Sequence, residues 1–423
     1  MAACRILGDA AVHEVLIGLS RSDVKVFQNK LQDSLRRYSV EGERKYQPEA
    51  GIINRPTGQK TLFRPFTSPS SVGTKIIVHP APDRANNTQQ PLHGVIVLCN
   101  NHGIPTGLIN AEEVTGFRTS LSAIIVWTMR KHTDSILVFG AGKQALWHIR
   151  LALALRGDEI RSIAVVNRNL ERANKLVKQL QEENAGRWKS EAKMESLDPN
   201  NKPLVQSKLA EVDAVFCTVP SEEILFPKSD LALDSRKRAP YISAIGSWQP
   251  QMIELDPALL KHVVEDDSAF NLTDEQGGLI IVDDRDACLH HTGEILQSGL
   301  SAKSLLELGE VLDVQHQDES QSPMREKLKT WLANDLIVYK SIGVSLTDLA
   351  TGEAILEMAK QREMGTLISD FYSTDSVFSA ASNDGTYAIQ LSGSVLANRV
   401  VSHVRMLPED HPYVQAETLE MQR

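Results

Sequence analysis

The sequence predicts an α/β protein built around a doubly wound parallel sheet, with α+β segments before and after it in the chain. Three observations predict it. From residue 134 the chain alternates apolar strand and helix: "SILVFG", a helix to about Arg156 stopped by Gly157, "SIAVVN", "LERANKLVKQLQEEN", then "AVFCTV", "YISAIG" and "LIIVDD". Strands apolar on both faces need helices on both sides, which is the parallel-sheet arrangement. The first of these strands runs into glycines and then a helix, in "SILVFGAGKQALWHI". Before residue 131 the segments are instead short and hairpin-like, and after about 325 the pattern turns helical again.

Taken in order, the elements begin with a short strand, "CRIL", and a helix from about Asp9 to Tyr38 with apolar residues three and four apart. "KTLFRPF", "TKIIVHPA", "HGVIVLCN" and "PTGLIN" read as strands, with "NNHG" as the turn between the last two. In "NAEEVTGFRTSLSAIIVWTMR", Asn110 caps a helix that carries Arg118, and Glu113 stands at capping-box spacing. "RWKSEAKMESLDPNNKP" lacks periodicity and reads as a surface excursion, while Asp283 and Asp284 are expected to end a strand and cap the next helix. "REKLKTWLANDLIVYKSIGVSLTDLATGEAILEMAKQRE" reads as helical, and roughly the last fifty residues carry no readable chemistry.

Composition narrows the function classes. The 423 residues, 42% hydrophobic and 23% charged, suffice for about two domains. The net charge of −9 comes from interspersed acids and bases without a basic run, so a small-molecule partner is expected and nucleic acid is not. No segment approaches the roughly 20 apolar residues that span a bilayer, and "MAACRILGDAAVHEVLIGL" lacks the continuous apolar region of a signal peptide. Cys4, Cys99, Cys217 and Cys288 are widely spaced and read as reduced thiols of a cytoplasmic protein. Without Cys-x-x-Cys or His-Glu-x-x-His spacing no metal site is expected, and His290-His291 reads as structural.

Gly140, Gly142 and Ala145 match G-x-G-x-x-[GA], the fingerprint of a Rossmann dinucleotide site: a tight turn, close backbone approach to a pyrophosphate, and close helix packing. The turn residue Ala141 and the first helical residues, Lys143 and Gln144, belong to the same expected cofactor contact, where free N–H groups point at phosphate. At the end of the next strand NAD sites place an acid, whereas this chain has Asn167, Arg168 and Asn169. A guanidinium pairs with a 2′-phosphate that a carboxylate would repel, so NADPH is favoured and NAD remains possible.

These segments together resemble the ornithine cyclodeaminase/mu-crystallin family, which includes ketimine reductases. The resemblance runs from "RILGDAAVHEVL" to "SLTDLATGEA" and is carried by "GTKIIV", "GIPTGLINAEEVTGFRTSLSA", "VFGAGKQALWHI", "FCTVPSEEILF", "AIGSWQPQMIELD", "LGEVL" and "IVYKSIGVSLTDLA". It implies a Rossmann domain, residues 132–328, inserted into a substrate-binding and dimerisation domain made of residues 1–131 and 329–423, the last part with a C-terminal extension. It implies a homodimer, and it places Lys75 and Arg118 on the substrate carboxylate, Thr218 and Val219 beside the nicotinamide and Ser341 near the cofactor. Independently, an Arg fork suits a carboxylate and a Lys adds charge beside an imine nitrogen.

Two departures bear on activity. Family members carry an Arg two residues after the proline matching Pro48, where this chain has Ala50; Arg64 on a neighbouring strand, or Arg55, could fill that space or lie on the surface. Ornithine cyclodeaminases carry a catalytic Asp two residues after the glycine matching Gly246, where this chain has Trp248, either a pocket floor that stacks on a planar substrate or a core Trp. Indole cannot accept a proton as a carboxylate does, so cyclodeamination loses its agent. The expected activity is NADPH-dependent reduction of a C=N bond next to a carboxylate, in a cyclic ketimine or imino acid. The alternatives are an NAD-dependent amino-acid cyclodeaminase and a non-catalytic binding protein for NADP and a small ligand.

Overall fold

The computed structural model describes residues 2–81, 92–266, 269–272, 277–317 and 323–372; the C-terminal extension lies outside the described residues. The chain opens with β1 (Ala2–Leu7), α1 (Asp9–Ile17) and α2 (Arg21–Ser39). One long helix was expected here, but the chain breaks between Ile17 and Arg21. Ser20 is the cause: its Oγ accepts the Asp23 N–H while the Asp23 carboxylate accepts the Ser20 N–H, a capping box that starts a new helix.

Four antiparallel connections follow, through β2 (Gly51–Asn54), β3 (Lys60–Thr67), β4 (Ser71–His79), β5 (His93–Asn100) and β6 (Pro105–Asn110), and then α3 (Ala111–Trp127). The two-residue alternation of these strands sorts their side chains to two faces. Leu62, Phe66, Ile77, Ile96, Leu98 and Ile109 are buried on one face, under α3 and α12 (Leu346–Gln361). Phe63 and Val72 are exposed on the other. Arg64 and Lys75 belong to the covered face by the same register, which is why they turn inward. Asn110 caps α3 by accepting the Glu112 N–H at 3.0 Å. Glu113 does not complete a capping box; it accepts a 2.6 Å hydrogen bond from Trp147 Nε1 instead.

The second sheet is parallel throughout. It is built from β7 (Ser135–Phe139), α4 (Lys143–Arg156), β8 (Ser162–Val166), α5 (Leu170–Gly186), β9 (Lys193–Leu197), α6 (Lys202–Glu211), β10 (Ala214–Cys217) and β11 (Tyr241–Ala244). It continues with α7 (Pro257–Val264), β12 (Ile280–Val282), α8 (Arg285–His291), α9 (Gly293–Ser298), β13 (Leu305–Glu307), α10 (Leu308–His316), α11 (Pro323–Asn334) and β14 (Ile337–Lys340). The strand order is β13-β12-β14-β11-β10-β7-β8-β9. Chain order reverses between β7 and β10, so the crevice beyond the carboxyl ends of those strands is the position where such sheets bind ligands. After α12, β15 (Thr366–Tyr372) pairs antiparallel with β1 and closes the first sheet.

Two expectations change. The "surface excursion" contains β9, an edge strand whose alternating exposure reflects cover on one face only. Ile337–Lys340, read as helix, is a fully buried strand between β11 and β12. A four-residue apolar run has no helical period, and burial on both faces selects strand. Sheet membership therefore keeps the chain in the parallel sheet through Lys340, beyond residue 328.

Phe117 of α3 locks the two halves, meeting Phe27 of α2 and Trp147 of α4 edge-on at centroid distances of 5.4 and 5.2 Å. It is fully buried, which contributes about 1.5–3 kcal/mol.

Candidate active site

The glycine turn lies at the sheet's switch point. Gly140 has φ +110°, and a Cβ there would sit 2.6 Å from Thr218 Oγ1, so residue 140 requires glycine for both its backbone and its neighbour across the crevice. Gly142 is the N-cap residue of α4 with no side-chain cap, and among the described residues the first helical N–H groups have no protein acceptor. Unpaired donors at a helix start suit a phosphate. Ala141 and Ala145 are buried beneath the turn, which lets α4 pack closely on the sheet.

The residues after β8 are arranged around α5. Asn169 caps the helix by accepting the Arg172 N–H at 2.9 Å, and Asn167 Nδ2 donates to the Asn169 carbonyl at 2.8 Å. Arg168 is exposed and, among the described residues, forms no hydrogen bond or ion pair. Arg172, which the sequence did not single out, donates from Nε to the Ala141 carbonyl at 2.9 Å and brings Nη2 within 3.5 Å of where a Cβ on Gly142 would lie. A second guanidinium thus stands against the glycine turn. These groups fit a dinucleotide cofactor.

Between the two sheets lies an inner cavity of about 270 Å³, lined by Arg64, Lys75, Arg118, Thr218, Trp248 and Gly343 among others. Lys75 Nζ is 2.7 Å from Asp348 Oδ2, and Arg118 Nε is 3.0 Å from Asp348 Oδ1, in ion pairs that are almost completely buried. Arg64 Nη1 donates to the Gly343 carbonyl at 3.2 Å. A Cβ at Gly343, whose φ is +96°, would lie 3.0–3.2 Å from nitrogens of both guanidiniums, so their ends meet over one glycine. Two guanidiniums and an ammonium converge on one carboxylate, and among the described residues Arg64 makes no ion pair of its own, with Asp348 and Asp283 acting on it only at longer range.

The titration of the cluster follows from that crowding. Burial and the neighbouring Arg118 push Lys75 down to about 7, although Asp348 opposes the shift. Burial also lowers Arg64, with Arg118 beside it. Burial alone would raise Asp348, but Arg118, Lys75 and Arg64 outweigh it and keep it below the ordinary carboxylate range. Asp348 was missed by motif reasoning. Its signal was an acid seven residues before Ile355 on α12, with both side chains fully buried and hence on one face.

Trp248 is half-buried and divides the inner cavity from an outer one of about 1010 Å³ that also reaches Arg64, Ala50 and His290-His291. Its indole stacks on His79 with centroids 6.3 Å apart, and Lys60 Nζ lies 5.9 Å from the ring. Arg55 lies in the exposed turn between β2 and β3 and lines neither cavity. No Asp or Glu lines the inner cavity among the described residues. Nor does any cluster of three His, Cys, Asp or Glu suited to a metal ion occur among them.

Other expected site residues are held by the fold. Thr218 Oγ1 donates to the Phe139 carbonyl at 2.7 Å, and the Val219 N–H donates to Glu254 at 2.8 Å. Ser341 is buried and its Oγ donates to Asp283, whose carboxylate also accepts the N–H groups of Ile342 and Gly343. Asp284, not Asp283, caps the following helix. Lys143 pairs with Glu112 and Glu113, and Gln144 donates to the Thr115 carbonyl, tying α4 to α3.

Comparison with known proteins bears on the fold and on the family that the chain resembles. A family model described as shikimate/quinate 5-dehydrogenase matches residues 126–246, the part from the end of α3 to the loop after β11. An uncharacterized cyclodeaminase of Dictyostelium discoideum is 29% identical over 337 residues, covering 74% of this chain and 84% of its own. A Delta(1)-pyrroline-2-carboxylate reductase of Bacillus cereus is 22% identical over 70% of this chain and 80% of its own. The mouse ketimine reductase mu-crystallin is 24% identical over 64% of this chain and 72% of its own. Among solved structures, an archaeal alanine dehydrogenase dimer with bound NAD superposes with a TM-score of 0.64 at 18% identity, covering 87% of this chain and all of that one. No helix among the described residues is long and apolar enough to cross a membrane. With its Rossmann-like sheet, its second domain and these relatives spanning most of its length, the chain is similar to the ornithine cyclodeaminase/mu-crystallin family.

Proposed function

We propose that this chain is an NADPH-dependent reductase of a C=N bond adjacent to a carboxylate, in a cyclic ketimine or imino acid, and that it works as a homodimer. The convergence of Arg64, Lys75 and Arg118 over Asp348 at the inner cavity carries the assignment. Three cations against one anion leave a site that a substrate carboxylate completes, with a guanidinium fork giving orientation. Arg64 takes the place of the cation missing at Ala50. The relatives named as pyrroline-2-carboxylate and ketimine reductases act on this class of substrate.

Gly140 to Ala145 would hold the pyrophosphate of the cofactor, and Arg168 with Arg172 its 2′-phosphate, which favours NADPH over NADH. A nicotinamide bound in the crevice supplies the hydride. The chain's own residues supply the rest. Arg118 and Arg64 fix the carboxylate, Trp248 bounds the ring on the outer side, and Lys75, near half-protonation at neutral pH, lends a proton at the imine nitrogen. The absence of any Asp or Glu from the described lining of the inner cavity weighs against a cyclodeaminase, which needs a base for internal amine attack.

The homodimer accords with the outer face of the first sheet, where Phe63 and Val72 are exposed, and with the alanine dehydrogenase dimer of the same fold. Incubation of the protein with NADPH and a panel of cyclic imino acids, Delta(1)-pyrroline-2-carboxylate and its six-membered homologue included, should consume NADPH. Tight NADPH binding with no turnover of any of them, or NAD-dependent release of ammonia from ornithine, would overturn the proposal.

A further inference from the structure

Behind Trp248 lies a fully buried charged group that the proposed chemistry does not use. Glu254, Glu294 and Lys340 have no exposed surface. Lys340 Nζ lies 3.4 Å from Glu294 and donates to the Ser247 carbonyl at 2.7 Å, while Ser247 Oγ donates to both oxygens of Glu294. Burying such charges is costly unless every partner is in place. The cost is met here by an arrangement that reaches two separate loops.

Glu254 makes the link. Its Oε1 accepts the Val219 N–H at 2.8 Å, and its Oε2 accepts the N–H groups of Gly246 and Ser247 at 2.6 and 3.2 Å. Val219 follows β10, on the side of the crevice that Thr218 and Gly140 define. Gly246 and Ser247 follow β11 and lead into Trp248. Backbone bonds run alongside, from Ile253 N–H to the Ser221 carbonyl and from Leu225 N–H to the Glu254 carbonyl. Gly246 lets the loops approach, since a Cβ there would lie 2.3 Å from the Val219 carbonyl and 2.6 Å from Glu254 Oε1. Thr218, Pro220, Gly246 and Trp248 all line the inner cavity.

We propose that Glu254 is a positioning residue that locks the loop after β10 to the loop after β11, so that the nicotinamide side and the Trp248 side of the cavity hold one spacing. All three of its side-chain contacts are backbone N–H donors, so only a carboxylate serves them all. An amide would turn an NH₂ toward a donor. The relation to imine reduction rests on the proposed function; the coupling of the loops does not.

The groups facing Glu254 are Lys340, Glu294 and Cys217. Burial, with Glu294 adding to it against Lys340, pushes the Glu254 carboxyl up to about 7. Protonation at Oε1, which has one amide contact, would release the Val219 loop.

Hydrogen exchange read by mass spectrometry on the full chain, without substrate, tests the coupling. In Glu254→Gln, peptides covering residues 218–222 and 245–251 should both exchange faster by about tenfold or more, while a peptide from β8 stays unchanged. With a turned-over imine, kcat should fall by roughly tenfold to a hundredfold while the NADPH Kd moves less than about threefold, as expected of lost alignment. Faster exchange in only one loop, or a loss of kcat matched by the unfolded fraction, would overturn the proposal. Should that variant not fold, Glu254→Asp, which keeps the charge on a shorter arm, decides: peptides 218–222 and 245–251 should both exchange faster, and unchanged exchange in either refutes the role. Coupled exchange without any imine turnover would leave the positioning role standing and remove the reductase assignment.

Discussion

Arg64 and Lys75 are direct partners across the β3–β4 ladder, so two cationic side chains leave one face of the sheet side by side and enter the same cavity. Like charges opposite each other are unfavourable unless something negative lies between them. Asp348 pairs with Lys75 and Arg118, and among the described residues Arg64 has a hydrogen bond to the Gly343 carbonyl and no ion pair. Arg64→Ala should therefore weaken a bound carboxylate by about 1.5–3 kcal/mol, the worth of a charged hydrogen bond. It should leave the unfolding midpoint unchanged or raised, since it relieves repulsion. Titration with a planar cyclic carboxylate such as pyrrole-2-carboxylate measures the first effect and thermal denaturation the second. An unaltered Kd would remove Arg64 from the site.

Lys75 gives the binding step a pH dependence of definite sign. Its ordinary value of 10.5 is lowered by burial and by Arg118 to about 7 in the folded chain. Between those values the unfolded chain holds the extra proton, so this group's contribution to stability rises with pH from about 7 to 10.5 and its penalty is fully present below 7. A carboxylate ligand favours the ammonium and pulls the proton back. Binding at pH 8 should then take up a proton, and Kd should rise by up to about tenfold per pH unit above 7. Calorimetry in two buffers of different ionisation enthalpy measures the uptake. Lys75→Met should abolish it, and a wild-type protein that binds without proton uptake would show that Lys75 is charged throughout.

What could be read from the sequence was what local pattern controls. The glycine turn, the alternation of β7 to β11 and the cap at Asn110 follow from spacing and residue type within a few positions. The missed features are tertiary. The break at Ser20 is written in a four-residue capping box inside a longer apolar period that masks it. Ile337–Lys340 was too short to show any period, and only its place between two strands makes it a strand. Asp348, Glu254 and Glu294 were invisible as chemistry because each lies in an otherwise unremarkable segment, and their meaning comes largely from groups distant in the chain, Lys75, Val219 and Lys340. Arg64 was legible only as a choice, and the strand register turns it toward the cavity.

Asp348 should prove to be the counterion on which the cluster's stability depends. It is fully buried, and its removal leaves Lys75 and Arg118 charged without a partner in a dry site. Breaking one side of a buried pair costs about 3–5 kcal/mol. Asp348→Asn should lower the unfolding midpoint accordingly, and added carboxylate ligand should recover more of it than the same ligand adds to wild type, because the ligand now supplies the only negative charge. Thermal melts with and without ligand test this. A variant as stable as wild type would mean that the cations are already neutral or hydrated.

Arg168 and Arg172 should separate cofactor choice from cofactor affinity. Arg168 is exposed at the end of β8 with no partner among the described residues, free to meet a ribose phosphate, while Arg172 is committed through Nε to the Ala141 carbonyl beside the glycine turn. Arg168→Ala should cut the preference for NADPH over NADH by roughly tenfold or more, the value of a lost charge-assisted contact of about 1.5–3 kcal/mol. Arg172→Ala should weaken NADPH and NADH by similar factors, because the turn it braces serves the pyrophosphate that both share. Fluorescence titration of each variant with the two reduced cofactors gives the four constants required. If Arg168→Ala leaves the ratio unchanged and Arg172→Ala alters it, the phosphate lies against α5 and the roles of the two guanidiniums are exchanged. If neither alters it, the chain has no preference for NADPH that these residues create.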